Sequence, residues 1–159
     1  MNSRRPEPHG LSHQAFIELE KILHQATALV GTDLGSMQFH DPKIGLVLVA
    51  AQGFSTAFIE HFRHLPLDSG TPCTRAYLIG RPTVLEDAHA DVSYMHLRRQ
   101  YDDVGIRSCR SIPLLDHAGR PFGVVSMHAR VARPAIEWEE EVLRLHGRQV
   151  ARRVEELFA

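Results

Sequence analysis

Two stretches late in the chain, Ser108 to Leu115 and Phe122 to His128, have the makeup of buried strands and are joined by Asp116-His117-Ala118-Gly119. So short a connection, with Gly placed for a left-handed backbone, makes the two strands antiparallel neighbours. An earlier pair repeats the arrangement. Met37 and Phe39 alternate with Gln38 and His40 in the period of a half-buried strand. His40-Asp41-Pro42-Lys43 and Gly45 then turn the chain into Leu46-Val47-Leu48-Val49-Ala50. Strands that arrive in hairpins, and not singly between long helices, define an α+β chain with one antiparallel sheet and exclude a doubly wound parallel one. Pro113 donates no amide, so the first strand of the late hairpin must meet an edge or a bulge there.

Helical spacing brackets this sheet. From Leu11 to Val30, residues Ala15, Leu19, Ile22, Ala26 and Leu29 recur at steps of four and three, and Phe16, Leu23 and Val30 widen the stripe. From Ala135 to Phe158, Ile136, Leu143, Val150 and Leu157 stand at seven-residue intervals. Between the hairpins, Phe54 to Phe62 reads as a short helix with Phe54, Ala57, Phe58 and Phe62 on one side. Thr71 before Pro72 reads as the N-cap of another short helix over Cys73 to Ile79. Thr83-Val84-Leu85 is a brief strand, and Asp91 to Asp103 a polar helical or irregular piece. Residues 1–10 read as a flexible arm, and 11–159 as one domain. Stripes this broad predict a homodimer seam of Ala15, Leu19, Ile22, Ala26, Ile136, Leu143, Val150 and Leu157, beside the simpler reading that they cover the chain's own sheet.

Composition narrows the partners. Lys and Arg total 18 against 19 Asp and Glu, so there is no basic surplus to displace counterions from nucleic acid. The longest apolar stretch, Ile44 to Ala51, is far short of the roughly 20 residues that cross a bilayer. The first ten residues contain no apolar segment of the signal-peptide kind, and a cytoplasmic protein is expected. Cys73 and Cys109 are then two free thiols rather than a bridge. The 11 histidines are the one oddity, since their protonation would carry the formal charge of −1 strongly positive.

Several local pieces, in order, resemble one family. They are Val49-Ala50-Ala51-Gln52-Gly53-Phe54 ahead of a helix, Gly70-Thr71-Pro72-Cys73-Thr74-Arg75-Ala76, and Pro82-Thr83-Val84-Leu85-Glu86-Asp87. Ser111-Ile112-Pro113-Leu114 and Gly123-Val124-Val125-Ser126-Met127-His128 complete the set. Together, across roughly Phe16 to Phe158, they resemble the GAF domains of bacterial signalling proteins, especially those next to histidine kinases. The resemblance implies a fold related in outline to PAS: a central antiparallel sheet with helices on one face, long N- and C-terminal helices on the other, and a small-molecule pocket on the first. It implies a pocket bordered by Phe54, Phe58, Cys73, Thr74, Arg75, Tyr77, Asp87, Ser111, Ser126 and His128, with Phe54, Phe58, Tyr77 and Met127 forming its apolar wall or simply the core.

The chemistry of these residues leaves three readings. The first is a non-enzymatic sensory module that binds a small ligand or senses redox state and relays it through its terminal helices to a partner such as a histidine kinase. The second is a thiol enzyme of the free methionine sulfoxide reductase type using Cys73, whose position at a helix start can lower a thiol pKa. Members of that branch resemble this chain in size, but have a distinct cysteine set in pocket loops that Cys73 and Cys109 do not reproduce. The third is a dimerisation module with no ligand. No catalytic residue and no metal site is predicted. His61 and His64, three apart, have a ligand spacing without a third member. No cofactor is predicted: Cys73-Thr74 lacks the His neighbour that a bilin-bearing GAF domain resembling this one would have, and no cyclic-nucleotide motif is present. Arg75 either holds an oxyanion or pairs at the surface with Asp87 or Glu86.

Overall fold

The computed structural model describes residues 4–159. Helix α1 (His13–Leu29) begins where Ser12 Oγ accepts the Ala15 amide at 3.0 Å, an N-cap bond worth about 1 kcal/mol. Strands β1 (Leu34–Asp41) and β2 (Gly45–Gln52) form the expected first hairpin. Asp41 closes its turn by accepting the Lys43 and Ile44 amides at 2.8 and 3.0 Å. Helix α2 (Thr56–Phe62), strand β3 (His64–Leu65), helix α3 (Pro72–Ile79) and strand β4 (Thr83–Leu85) follow. The polar stretch becomes a 3-10 turn (Val92–Leu97) running into α4 (Arg98–Val104). Strands β5 (Ser108–Leu115) and β6 (Pro121–Ala129) make the second hairpin, and α5 (Glu139–Leu157) ends the fold.

Among the described residues six strands form one antiparallel sheet in the order β3-β2-β1-β6-β5-β4. The two hairpins therefore meet at β1 and β6, the centre of the sheet. Pro113 lies beyond the end of β4, which pairs only with Cys109 to Ser111, so β5 is an edge there and no ladder bond is lost.

Each central strand alternates between two layers, because successive side chains point to opposite faces. Met37, Phe39, Ile112, Leu114, Val125 and Met127 lie under α1 and α5. On the other face, Leu46, Leu85, Cys109 and Val124 pack with α2, α3, the 3-10 turn and α4. The terminal helices sit close to the sheet. A Cβ on Gly147, midway along α5, would stand 2.5 Å from Ile112 Cγ2.

That closeness corrects the expected dimer seam. Leu19, Ile22, Ala26, Leu143 and Val150 are buried in the chain's own core, because α1 and α5 lie on the back of the sheet with their apolar stripes inward. Ala15 is half-buried, while Ile136 and Leu157 are exposed. Instead Trp138, Val142 and Leu145, spaced by four and three, present an apolar strip to solvent.

Three further differences have local causes. Helix α5 starts at Glu139 and not near Ala135, because Trp138 takes a left-handed backbone with φ 68° and the segment before it is tied elsewhere, Arg133 N and Ala135 N donating to Glu86 O and Glu86 Oε2, both at 2.9 Å. Strand β3 is two residues long, too short for any periodicity to show. Of the arm expected over 1–10, residues 1–3 lie outside the described residues. The rest packs on the domain: Pro6 is buried, Arg5 donates to the Pro121 carbonyl, and His9 meets Asp41 at 2.9 Å.

Candidate functional site

The face beneath α2–α4 contains a row of polar side chains where an ordinary core would be apolar. Ser36 and Gln38 of β1, Ser126 and His128 of β6, and Cys109 and Ser111 of β5 turn to the same side. The register sets Ser36 against Ser126, Ser126 against Ser111, and His128 against Cys109. All six are buried. Buried polar groups are costly unless bonded, and most of these are bonded to one another. The Ser111 and Ser126 hydroxyls are 2.7 Å apart, Ser36 Oγ and His128 Nε2 3.2 Å, and Cys109 Sγ and Ser111 Oγ 3.4 Å. Two atoms are left over: Gln38 Oε1 and His128 Nδ1 have no partner among the described residues.

Helix α3 closes the row from above. Thr71 and Thr74 form a reciprocal capping box: Thr71 Oγ1 accepts the Thr74 amide at 3.2 Å and Thr74 Oγ1 accepts the Thr71 amide at 3.1 Å, with Pro72 at the first helical position. This fixes Cys73 against the sheet, 3.1 Å from Thr71 Oγ1 and beside the Gln38 amide. The aromatic cover is tight. Phe54 and Phe58 stack at 3.6 Å between ring centroids, and both meet His128 edge-on, at 5.2 and 6.2 Å.

The row is uncharged at neutral pH. Burial pushes the Cys73 thiol up, against hydrogen bonds that favour its thiolate, and pushes Cys109 up to about 12. Desolvation alone takes His128 down to about 3. The helix start does not lower the Cys73 thiol: it is buried, and desolvation outweighs the amide dipoles. What the arrangement offers is neutral hydrogen bonding in a low-dielectric space.

Of the expected pocket residues, the structure brings together Phe54, Phe58, Cys73, Ser111, Ser126 and His128. Thr74 is buried beside them, but its hydroxyl serves the helix cap. Three others lie apart. Arg75 donates to the Ser93 carbonyl at 2.9 Å and covers the Tyr94 ring at 4.3 Å, so it pairs with neither Asp87 nor Glu86. Asp87 is held at about 2 by a two-bond pair with Arg107. Tyr77 stacks on His40 at 4.9 Å. Met127 faces the opposite layer, under α1 and α5, so it is core and not pocket wall. Ala57 is exposed rather than on the inner side of α2. His64 belongs to β3, so it shares no helix face with His61, and no cluster of three His, Cys, Asp or Glu suited to a metal occurs among the described residues.

Sequence reasoning missed Ser36, Gln38 and Cys109. The alternation of Met37 and Phe39 with Gln38 and His40 reads as one wet face and one dry one, yet both faces of β1 are covered. The signal was the position of β1 in a two-layered α+β sheet: its polar positions had to face something other than water.

A polar row walled by aromatics, between a sheet and a short-helix layer, with two long helices behind the sheet, defines a three-layered α+β domain with a polar interior on one face of its sheet. The sequence profile of the GAF domain family matches residues 18–155; the chain belongs to the GAF domain family. Solved structures of similar fold include the GAF domain region of a protein assigned to the membrane in Geobacter sulfurreducens. It is 22% identical with a TM-score of 0.70, over 90% of this chain and 97% of that one. A domain assigned to a two-component sensor histidine kinase of Sinorhizobium meliloti is 16% identical, with a TM-score of 0.65 over 94% of each chain. A type II free methionine-R-sulfoxide reductase of Thermoplasma acidophilum is 16% identical, with a TM-score of 0.65 over 91% of this chain and 98% of that one. These likenesses establish the fold. No protein of curated function matches the chain. Among the described residues no helix is long and apolar enough to cross a membrane.

Proposed function

We propose that the chain is a cytoplasmic sensory module that binds a small, uncharged polar ligand at the buried row of β1, β5 and β6 and relays occupancy through α1 and α5. One observation carries this reading: Gln38 Oε1 and His128 Nδ1 are buried without partners. Each such group costs about 1–3 kcal/mol, a large share of a typical 5–15 kcal/mol of stability. A ligand with hydrogen-bond donors relieves that cost by displacing Phe54 and Phe58, whose half-buried and exposed neighbours at the start of α2 leave room to move. Binding biases the terminal helices through its differential affinity for two arrangements of the layers, and the receiver is a signalling partner of the histidine kinase kind. Two protonated, buried thiols favour this over sulfoxide reduction, which needs an accessible thiolate.

The test is native mass spectrometry and an absorption spectrum of untagged protein taken from cell extract. A retained small molecule, lost in Gln38→Leu, is the expected result. A bare protein whose melting temperature no extract fraction shifts would refute ligand sensing. The homodimer is proposed on the exposed strip of Trp138, Val142 and Leu145 together with Ile136. Sedimentation should give a dimer that Val142→Glu with Leu145→Glu converts to a monomer. A wild-type monomer at tens of micromolar would end that proposal.

A further inference from the structure

Helix α5 turns one side to the sheet and the other to solvent. Leu143, Val150, Ala151 and Val154 face inward, while Trp138, Val142 and Leu145 are 67%, 62% and 56% exposed. Continued at the same four-three spacing, the outer strip runs through Gln149, Arg152 and Glu156, all exposed. Trp138, the residue that caps the helix start, is the one non-glycine residue at positive φ among the described residues. A bulky side chain is held in that region at a cost, and its own chain covers little of the ring in return.

The charges of α5 divide into those the domain uses and those it leaves free. Glu139 pairs with Arg110, Glu140 with Arg81 and Arg144, and Arg153 donates to Gln25. Glu141, Arg148 and Arg152 are exposed and enter none of these pairs. Glu141 and Arg148 stand one heptad apart on the same flank of the apolar strip.

A second copy of α5 laid on the strip meets these charges in one of two ways. In a parallel pair like meets like. Arg152 lies against Arg152 of the second copy and Glu156 against Glu156, while Arg148 reaches Arg153 of the second copy across the flank. In an antiparallel pair, with the two-fold axis between Val142 and Leu145, each Val142 meets Leu145 of the second copy and each Trp138 covers the stem of Gln149. Each Glu141 then reaches Arg148 of the second copy, so both free charges are paired twice over by symmetry. The same axis carries Arg152 past the first turn of the other helix, clear of its own copy. Opposite charges across a contact fix its orientation more than its strength, and here they select the antiparallel one.

We propose that two copies of this chain pair through α5 in antiparallel, in the register that sets Val142 on Leu145, with Glu141–Arg148 ion pairs on both sides of the axis. This rests on the homodimer proposed above and adds its orientation and register. The two α5 helices then run in opposite directions, so the pair offers two separate ends to partners instead of one continuous coil.

Three measurements on the full chain test it. Trp138 is the only tryptophan, so its emission should move to the blue over the concentration range in which sedimentation shows dimerisation. Arg148→Glu should weaken the dimer about tenfold, since it turns two exposed attractions into two repulsions, and Glu141→Arg added in the same chain should restore it. A parallel pair requires the opposite sign for Arg148→Glu, whose carboxylate would attract Arg153 of the second copy. Under mild oxidation Trp138→Cys and Gln149→Cys should cross-link with each other when mixed, and neither with itself. The antiparallel register separates each position from its own copy by about 16 Å along the axis at ~1.5 Å per residue, beyond the ~7 Å that a disulfide spans. Cys73 and Cys109 are buried and take no part. Should the double charge variant fail to fold, the cross-links decide alone. A dimer that Arg148→Glu tightens or leaves unchanged, or in which either cysteine variant joins its own kind, overturns the orientation and leaves the homodimer standing. A wild-type monomer at tens of micromolar ends both.

Discussion

Mild acid should destabilise this domain through His128 at pH values where most proteins are at ease. In the folded chain burial takes this imidazole down to about 3 from the ordinary histidine value of 6.5, so between those values the unfolded chain binds a proton that the folded chain does not. Stability from this residue is then complete above pH 6.5 and is lost as the pH falls toward 3. At about 1.4 kcal/mol per pH unit, moving from pH 7.5 to pH 5 should cost about 2 kcal/mol, or about 4–8 °C in melting temperature for a domain of this size. Carboxylates and other histidines titrate in the same range, so the quantity to measure is a difference. Urea unfolding of the wild type and of His128→Gln, which keeps a polar side chain but cannot ionise, is recorded at pH 7.5 and pH 5. The wild type should lose about 2 kcal/mol more than the variant. Equal losses, within about 0.5 kcal/mol, would show that the imidazole is solvated or charged in the fold, and the picture of an uncharged, dry row beneath α3 would fail with it.

Three other outcomes are expected. Gly147→Ala raises helix propensity by about 1 kcal/mol, yet it should lower stability by about 1–3 kcal/mol because the new methyl meets Ile112 at the α5–β5 contact; thermal denaturation reads the sign directly. Thr71→Ala removes half of the capping box and one contact of the Cys73 thiol, and should cost about 1–2 kcal/mol by urea unfolding. Native protein mixed with an aromatic disulfide reagent should show neither Cys73 nor Cys109 reacting until urea opens the fold, since both thiols are buried and protonated; prompt release of one equivalent would contradict their burial.

The parts of this fold readable in its sequence are those with strong periodicity or turn chemistry. Both hairpins, the two long helices and the Thr71-Pro72 helix start follow from alternation, seven- and four-three spacing, and capping. The start of α5 was not readable, because it is set by a left-handed backbone at Trp138 and by Glu86, just past β4, accepting the amides of Arg133 and Ala135, contacts that no local pattern encodes. The site was legible by halves. Cys73, Ser111, Ser126 and His128 lie in segments that resemble the family's, but Gln38 looked like a solvent position, since alternation shows that a strand has two faces and not what covers the second. Arg75 and Asp87 failed for the complementary reason: their partners, Ser93 with Tyr94 and Arg107, are set by the 3-10 turn and the start of β5, the stretch with the weakest pattern in the chain.

Strand β6 has a consequence for how such a domain diversifies. Ser126 and His128 belong to the polar row, while Val125 and Met127, between and beside them, belong to the core under α1 and α5. A backbone adjustment that suits a new ligand at 126 or 128 disturbs, through one peptide unit, the packing that anchors the terminal helices. Under the proposed function, selectivity and signal output share a wall, and a change to one side of β6 reaches the other. The free variables lie in α2, α3 and the 3-10 turn, which touch only one side. Lineages that exchange one ligand for another should record the change there, with the central strand nearly constant.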